Sequence, residues 1–179
     1  MSQQSDFRII PKPFPDEYPA YAIQYMKLLP DDGLLIKHLK ENFSAVKDLI
    51  RSLAEEKLLT RYAAGKWTIK ETLVHIIDDE RIYAYRAMCF ARNEMLPLPG
   101  FEQDDYVMHS GANERIMATI WDEYEAVRYA TIALFNGFSE DALLRSGTAD
   151  CKKATVRALG YHIAGHELHH LNLIREKYL

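Results

Sequence analysis

Two histidines near the C-terminus stand where a helix would ordinarily place core residues. The apolar stripe there steps through Val156, Leu159 and Ile163, then meets His166 and His170 before Leu173 or Ile174. Steps of three and four put all of these on one helical face. A polar ring buried on that face costs on the order of a few kcal/mol unless something satisfies it. Histidines four residues apart lie one above the other and can aim their nitrogens at one point. Neutral imidazole is also a good ligand for zinc, nickel or iron. Two ligands do not make a site, and His75 is the best third. It lies in Leu73-Val-His-Ile-Ile-Asp78, the most apolar part of an upstream helical stretch, where an unpaired imidazole would again be costly. The expected cofactor is therefore one divalent metal (zinc, nickel or iron) held by His75, His166 and His170. Three protein ligands leave positions open for water or substrate, the arrangement of a catalytic rather than a structural site.

Other polar residues surround this set. Asp78 and Asp79 follow His75 directly and could steady an imidazole, orient a metal-bound water or take up a proton. His162 and His169 occupy the flanking faces of the last helix as surface or supporting groups, and an exchange of either into the ligand set stays open. His166-Glu-Leu-His-His170 also matches the HExxH pattern of zinc proteases, with Glu167 as general base. Those enzymes take a third ligand from further downstream, yet only nine residues follow His170. Asn172 and Glu176 share the helix and cannot swing round to the metal. Glu167 is kept as a candidate proton-transfer group, not as the mark of a protease. His38 and His109 belong to no such group.

Four amphipathic stretches have to hold these side chains. The first is expected to start at Asp31 or Asp32 and to bury Leu35, Leu39, Phe43, Val46, Leu49, Ile50 and Leu53. The second opens at Thr68, where Thr68 and Glu71 have capping-box spacing, and runs to about Asn93. Pro97, Pro99 and Gly100 then begin a long loop through Ser110, long enough to shape a site. The third covers roughly residues 113–135, with Ile116, Ile120, Tyr124, Val127, Thr131 and Leu134 inward, and Gly137 stops it. A polar segment with Gly147 leads to the fourth, from about Thr155 to the C-terminus. No segment alternates long enough to predict a strand, so the fold class is all-α, a four-helix bundle. Residues 1–30 are rich in proline and aromatics. They are expected to form an extended arm with one short helical turn around residues 20–28, packed on a bundle of residues 31–179.

The bulk numbers agree with one globular domain. The chain has 179 residues, 48 % hydrophobic and 27 % charged, with a formal net charge of −4. Acids and bases are interspersed, which argues against a nucleic-acid surface, since phosphate binding needs clustered Lys and Arg. Lys152, Lys153 and Arg157 come closest and read as a solvated helix entrance. No run approaches the roughly 20 apolar residues of a membrane span. The N-terminus has no apolar signal region, and Cys89 and Cys151 fit neither a metal pair nor a disulfide framework. The cytoplasm is the expected location, with no membrane and no nucleic-acid partner.

In these motifs the chain resembles the DinB-like family of bacterial helical bundles, which includes the bacillithiol transferases. The resemblance runs from about Leu34 to Tyr178. It is carried by Lys66-Trp-Thr-Ile-Lys-Glu71 leading into His75-Ile-Ile-Asp78, by the loop Leu98-Pro-Gly-Phe101, and by Gly165-His-Glu-Leu-His-His170. It implies an up–down–down–up bundle, a three-histidine metal site that maps onto His75, His166 and His170, and a homodimer in many members. The family's characterised branches use a low-molecular-weight thiol. The expected function is accordingly a metal-dependent thiol S-transferase whose partners are a small-molecule thiol and an electrophile. A metal-activated hydrolase of a small ester or amide is the first alternative, and a non-enzymatic metal-binding stress-response module the second. Trp67 and Trp121 are read as packing residues. Arg81, Arg86 and Arg92 are read as a solvated face, with a carboxylate-bearing substrate as the other use for them.

Overall fold

The computed structural model describes residues 7–179. Four long helices make the body: α2 (Leu35–Arg51), α4 (Ile69–Ala91), α6 (Met117–Gly137) and α8 (Val156–Lys177). Of four short ones, α1 (Ile23–Met26) lies in the arm before α2, and α3 (Glu55–Leu58), α5 (Gln103–His109) and α7 (Glu140–Leu144) lie in the connections between the long helices.

Contacts between the helices fix their directions. Asn42 of α2 donates to the Ala164 carbonyl of α8 at 2.9 Å, and Leu35 lies over Gly160, so these two helices run the same way. Between α4 and α6, Lys70 reaches the Arg115 carbonyl and Arg81 pairs with Glu123 further along, so they too are parallel. His75 meets His170 while Tyr83 meets His162, which makes α4 and α8 antiparallel. Phe43 packs on Tyr124, and Arg128 donates to the Leu39 carbonyl, so α2 and α6 are antiparallel as well. The order is up–down–down–up. Parallel neighbours cannot be joined by a tight turn, so residues 92–116 must travel back along the bundle.

That crossover is not the plain loop expected through Ser110. It contains α5, which turns its backbone polar groups inward on themselves and buries Val107. The segment before α8 also departs from expectation, because it forms an antiparallel hairpin of β1 (Ser146–Ala149) and β2 (Lys152–Thr155). Its two-residue turn, Asp150 and Cys151, has φ of +49° and +57°, a conformation usually signalled by Asn-Gly or Asp-Gly. Gly147 is required there: a Cβ would stand 2.1 Å from the Phe90 ring, so only glycine lets the hairpin lie on α4.

Helix starts are set by caps. Thr68 accepts from the Glu71 amide at 3.0 Å, and the Glu71 carboxylate accepts from the Thr68 amide at 2.7 Å, closing the expected capping box. Thr155 caps α8 on the Ala158 amide at 3.3 Å. α2 starts at Leu35 and not at Asp31 or Asp32, because Gly33 at φ +71° interrupts the helix and Asp32 instead accepts from the Leu34 amide. α6 starts at Met117, which leaves Ile116 outside the helix and exposed rather than inward.

Residues 7–30 lie against the bundle. Tyr161 donates to the Ile10 carbonyl at 2.8 Å, and Glu17 accepts from Arg157 and Thr155. Arg157 is therefore buried in a pair, not part of a solvated entrance. The core has two apolar halves, one around Leu39, Phe90, Phe135 and Ile163 and one around Val46, Leu73, Ile77, Ile120 and Ile174. A fully buried Arg128 contacts both Glu80 and Glu167, at 2.7 and 2.9 Å. Among the described residues no helix is long and apolar enough to cross a membrane.

Candidate metal centre

The capping box at Thr68 fixes where α4 begins, and His75 follows two turns later on the face toward α8. Thr155 fixes α8 in the same way, with His166 and His170 on the face toward α4. The three side chains are 2, 4 and 8 % exposed. Their Nε2 atoms converge: His166 is 3.1 Å from His75 and 3.1 Å from His170, and all three lie within 4.8 Å of one another.

The donor set suits a divalent ion. Imidazole nitrogens bound at about 2.0–2.1 Å to one ion, as neighbours in octahedral or tetrahedral geometry, stand roughly 2.8–3.4 Å apart. Protonation opposes such a site and is itself opposed here. Burial lowers the pKa of His75, and it drives His166 and His170 well below the usual histidine value, with the neighbouring imidazoles adding to the effect. Neutral rings with lone pairs facing one point are the form that binds metal.

Asp79 sits behind the ligands. Its Oδ2 is 3.3 Å from His166 Nδ1 and 3.3 Å from His162 Nε2, and it finds no closer hydrogen bond. A proton on His166 Nδ1 directed at this carboxylate leaves the Nε2 lone pair free for a metal, the usual carboxylate–histidine arrangement. His162 lies flat on Tyr83, with centroids 3.6 Å apart, and edge-on to Tyr25. His169 is half-exposed beside His170 and Tyr25.

The other two predicted acids point elsewhere. Asp78 stands 3.6 Å from Arg81 on the partly exposed side of α4. Glu167 is fully buried, and its two oxygens accept from Tyr124 and Arg128. Burial raises its carboxyl pKa while Arg128 pulls the other way. The glutamate of the HExxH pattern therefore belongs to the core network and does not face the three imidazoles. Trp67 leans over His75 at a centroid distance of 4.7 Å and stacks toward His170, so it is part of the site's wall.

Two clefts flank the centre. One, of about 360 Å³, reaches His170 and is walled by Trp67, Thr72, Lys66 and Tyr178. The other, of about 430 Å³, reaches His166 and Asp79 and is walled by Tyr83, Arg86, Phe101 and Lys152. Tyr25 and Gln103 line both. Burial, and secondarily the charge of Asp79, pushes the Tyr25 hydroxyl up to about 12, so it stays a phenol and a hydrogen-bond donor at neutral pH. Periodicity could not place Tyr25, Gln103 or Arg86 at the site. One local signal existed. A Cβ on Gly165 would come within 2.5 Å of the Tyr25 carbonyl, so a glycine beside His166 marks the close approach of another backbone.

An up–down–down–up helical bundle with three histidines converging from two antiparallel helices defines a class. The chain belongs to the DinB superfamily, whose family model matches residues 38–174. It is similar to OB0413 of Oceanobacillus iheyensis, a protein provisionally named a metal-dependent hydrolase. The two are 25 % identical over 142 residues, covering 78 % of this chain and 81 % of the relative. Its fold is similar to that of YfiT from Bacillus subtilis, whose structure is described as an unusual four-helix bundle topology with a provisional assignment as a metal-dependent hydrolase. That match has a TM-score of 0.72 at 16 % identity, covering 79 % of this chain and 82 % of YfiT.

Proposed function

We propose that this protein is a metal-dependent thiol S-transferase acting on a small electrophile, with His75, His166 and His170 as the metal ligands. The observation that carries the reading is the pair of clefts meeting at one centre. A transfer between two small molecules needs two binding sites on one reacting point, and the clefts of about 360 and 430 Å³ sharing Tyr25 and Gln103 supply them. His75, His166 and His170 would hold the divalent ion, which when bound would lower the pKa of a thiol or a water and so supply the nucleophile.

The chain's own groups do the rest. Asp79 orients His166, and the proton the thiol loses passes to solvent through the cleft that Asp79 and His162 line. The carbon–sulfur bond then forms as the electrophile's leaving group departs with its bonding electrons. Tyr25 offers its hydroxyl hydrogen to whichever substrate lies between the clefts. Trp67 and Phe101 cover apolar parts of the bound molecules and exclude water.

The assay is a thiol-conjugation rate with zinc-loaded protein, monochlorobimane, and bacillithiol, glutathione or coenzyme A in turn. At least one thiol should react well above the rate given by His166→Ala. A rate no higher than that of His166→Ala with every one of the three thiols would remove the proposal for them. The provisional name of OB0413 favours a second reading, hydrolysis by a metal-bound water. Release of p-nitrophenol from small p-nitrophenyl esters without any thiol, abolished by the same substitution, would select it.

A further inference from the structure

Arg86 is the one charged side chain in the cleft on the His166 side that is both buried and without an acid. It is 6 % exposed, yet among the described residues no carboxylate lies within 4.0 Å of it. Its single recorded hydrogen bond runs from Nη2 to the Pro99 carbonyl at 3.0 Å, which leaves most of a five-donor guanidinium unused. Those donors are not among the polar atoms sealed in the interior without a partner, and Arg86 stands in the wall of this cleft, at its border with the pockets beside Phe90 and Pro99. Tyr83 and Phe101 hold the group in place, with ring centroids 5.0 and 5.8 Å from its central carbon. A buried cation without an anion is costly, and its fixed fork matches a carboxylate.

The acids nearby do not fill this role. Asp150 pairs with Lys152 at the exposed hairpin turn and feels Arg86 only as a weaker, more distant charge across the cleft, Glu102 is exposed on the rim, and Asp79 faces His162 and His166. Position along α4 also sets a length. Arg86 lies eleven residues beyond His75, roughly 16 Å along the axis. The contacts from Arg86 to Tyr83, Tyr83 to His162 and His162 to His166, at 5.0, 3.6 and 5.5 Å, keep its guanidinium within roughly 14 Å of the His166 ring.

We infer that this cleft binds a substrate carrying a carboxylate, with Arg86 as the specificity-determining residue that anchors it roughly 10–14 Å from the three imidazoles. The inference rests on the metal-centre reading above and adds the substrate class to it.

The probe is a series of metal-binding hydroxamates titrated calorimetrically into zinc-loaded protein. Acetohydroxamate tests the metal end alone, and suberic acid monohydroxamate carries a carboxylate at the required distance. The matching carboxamide removes only the charge. The carboxylate should bind about tenfold or more tighter than the carboxamide, since a hydrogen bond between two charged groups is stronger than one to a neutral amide. Arg86→Gln, which can keep the bond to Pro99, should erase that preference, while Arg86→Lys should retain part of it. Equal binding of carboxylate and carboxamide, or a preference undiminished in both variants, overturns the inference and leaves the metal centre standing. Failure of acetohydroxamate to bind at all overturns the metal reading and the inference with it.

Discussion

At the scale of single residues, the site depends on three imidazoles staying neutral and one carboxylate staying behind them. Asp79→Asn preserves shape while removing the charge that holds the His166 Nδ1 proton. Outer groups of this kind typically contribute tenfold to a hundredfold in metal affinity. A competition titration with a chromophoric chelator should therefore show zinc affinity lowered by about that range, and an unchanged affinity would separate Asp79 from the centre. The same histidines predict a pH dependence for the metal-free protein. Their pKa values are lowered by burial below the ordinary 6.5, so below that pH the unfolded chain takes up protons that the folded chain refuses. Stability is full above pH 6.5 and falls as pH drops below it. Urea midpoints measured with chelator present should decline between pH 7 and 5, and the decline should shrink in His166→Ala. A flat profile in the unmodified protein would contradict the assignment of buried neutral rings.

At the scale of elements, caps and short segments place the chemistry. Thr68 caps α4 two turns before His75, and its hydroxyl also donates to Asn113 at 2.7 Å, tying that cap to the crossover. Thr68→Ala should cost about 1 kcal/mol, seen as a lower denaturation midpoint at unchanged slope. No loss would mean the cap is not what starts the helix. This element was readable in the sequence because Thr68 and Glu71 have a local spacing with a local meaning. His166 and His170 were readable for a similar reason, since a polar residue on an apolar stripe breaks the period. The hairpin was not. Its strands have four residues each, too few to show alternation, and its turn uses Asp150 and Cys151 where glycine would have announced it. Nor could spacing tell Asp78 from Asp79. One residue rotates a helical side chain by about 100°, enough to send one carboxylate to Arg81 and the other to His166. Glu167 follows the same logic: beside a ligand in sequence, it faces Arg128 and Tyr124 in the fold.

At the scale of the whole molecule, the parallel pairing of α4 with α6 explains much of the site. It requires a return crossover, and that crossover delivers Phe101 and Gln103 to the cleft walls. The arm of residues 7–30 closes the other side with Tyr25, admitted by Gly165. Neither contribution is local in sequence, which is why the three histidines could be singled out before their surroundings. Beneath them, Arg128 contacts the Leu39 carbonyl, Glu80 and Glu167, joining α6 to the other three long helices in one buried network. The bundle thus positions His75 against His166 and His170, and metal binding should add stability as well as chemistry. The most direct test is elemental analysis of the full chain purified without a histidine tag, paired with metal titration of His75→Ala. The account predicts about one equivalent of a divalent metal in the unmodified protein and loss of high-affinity binding in the variant. Metal-free protein that takes up no added metal, or a variant that binds as tightly as its parent, would contradict it.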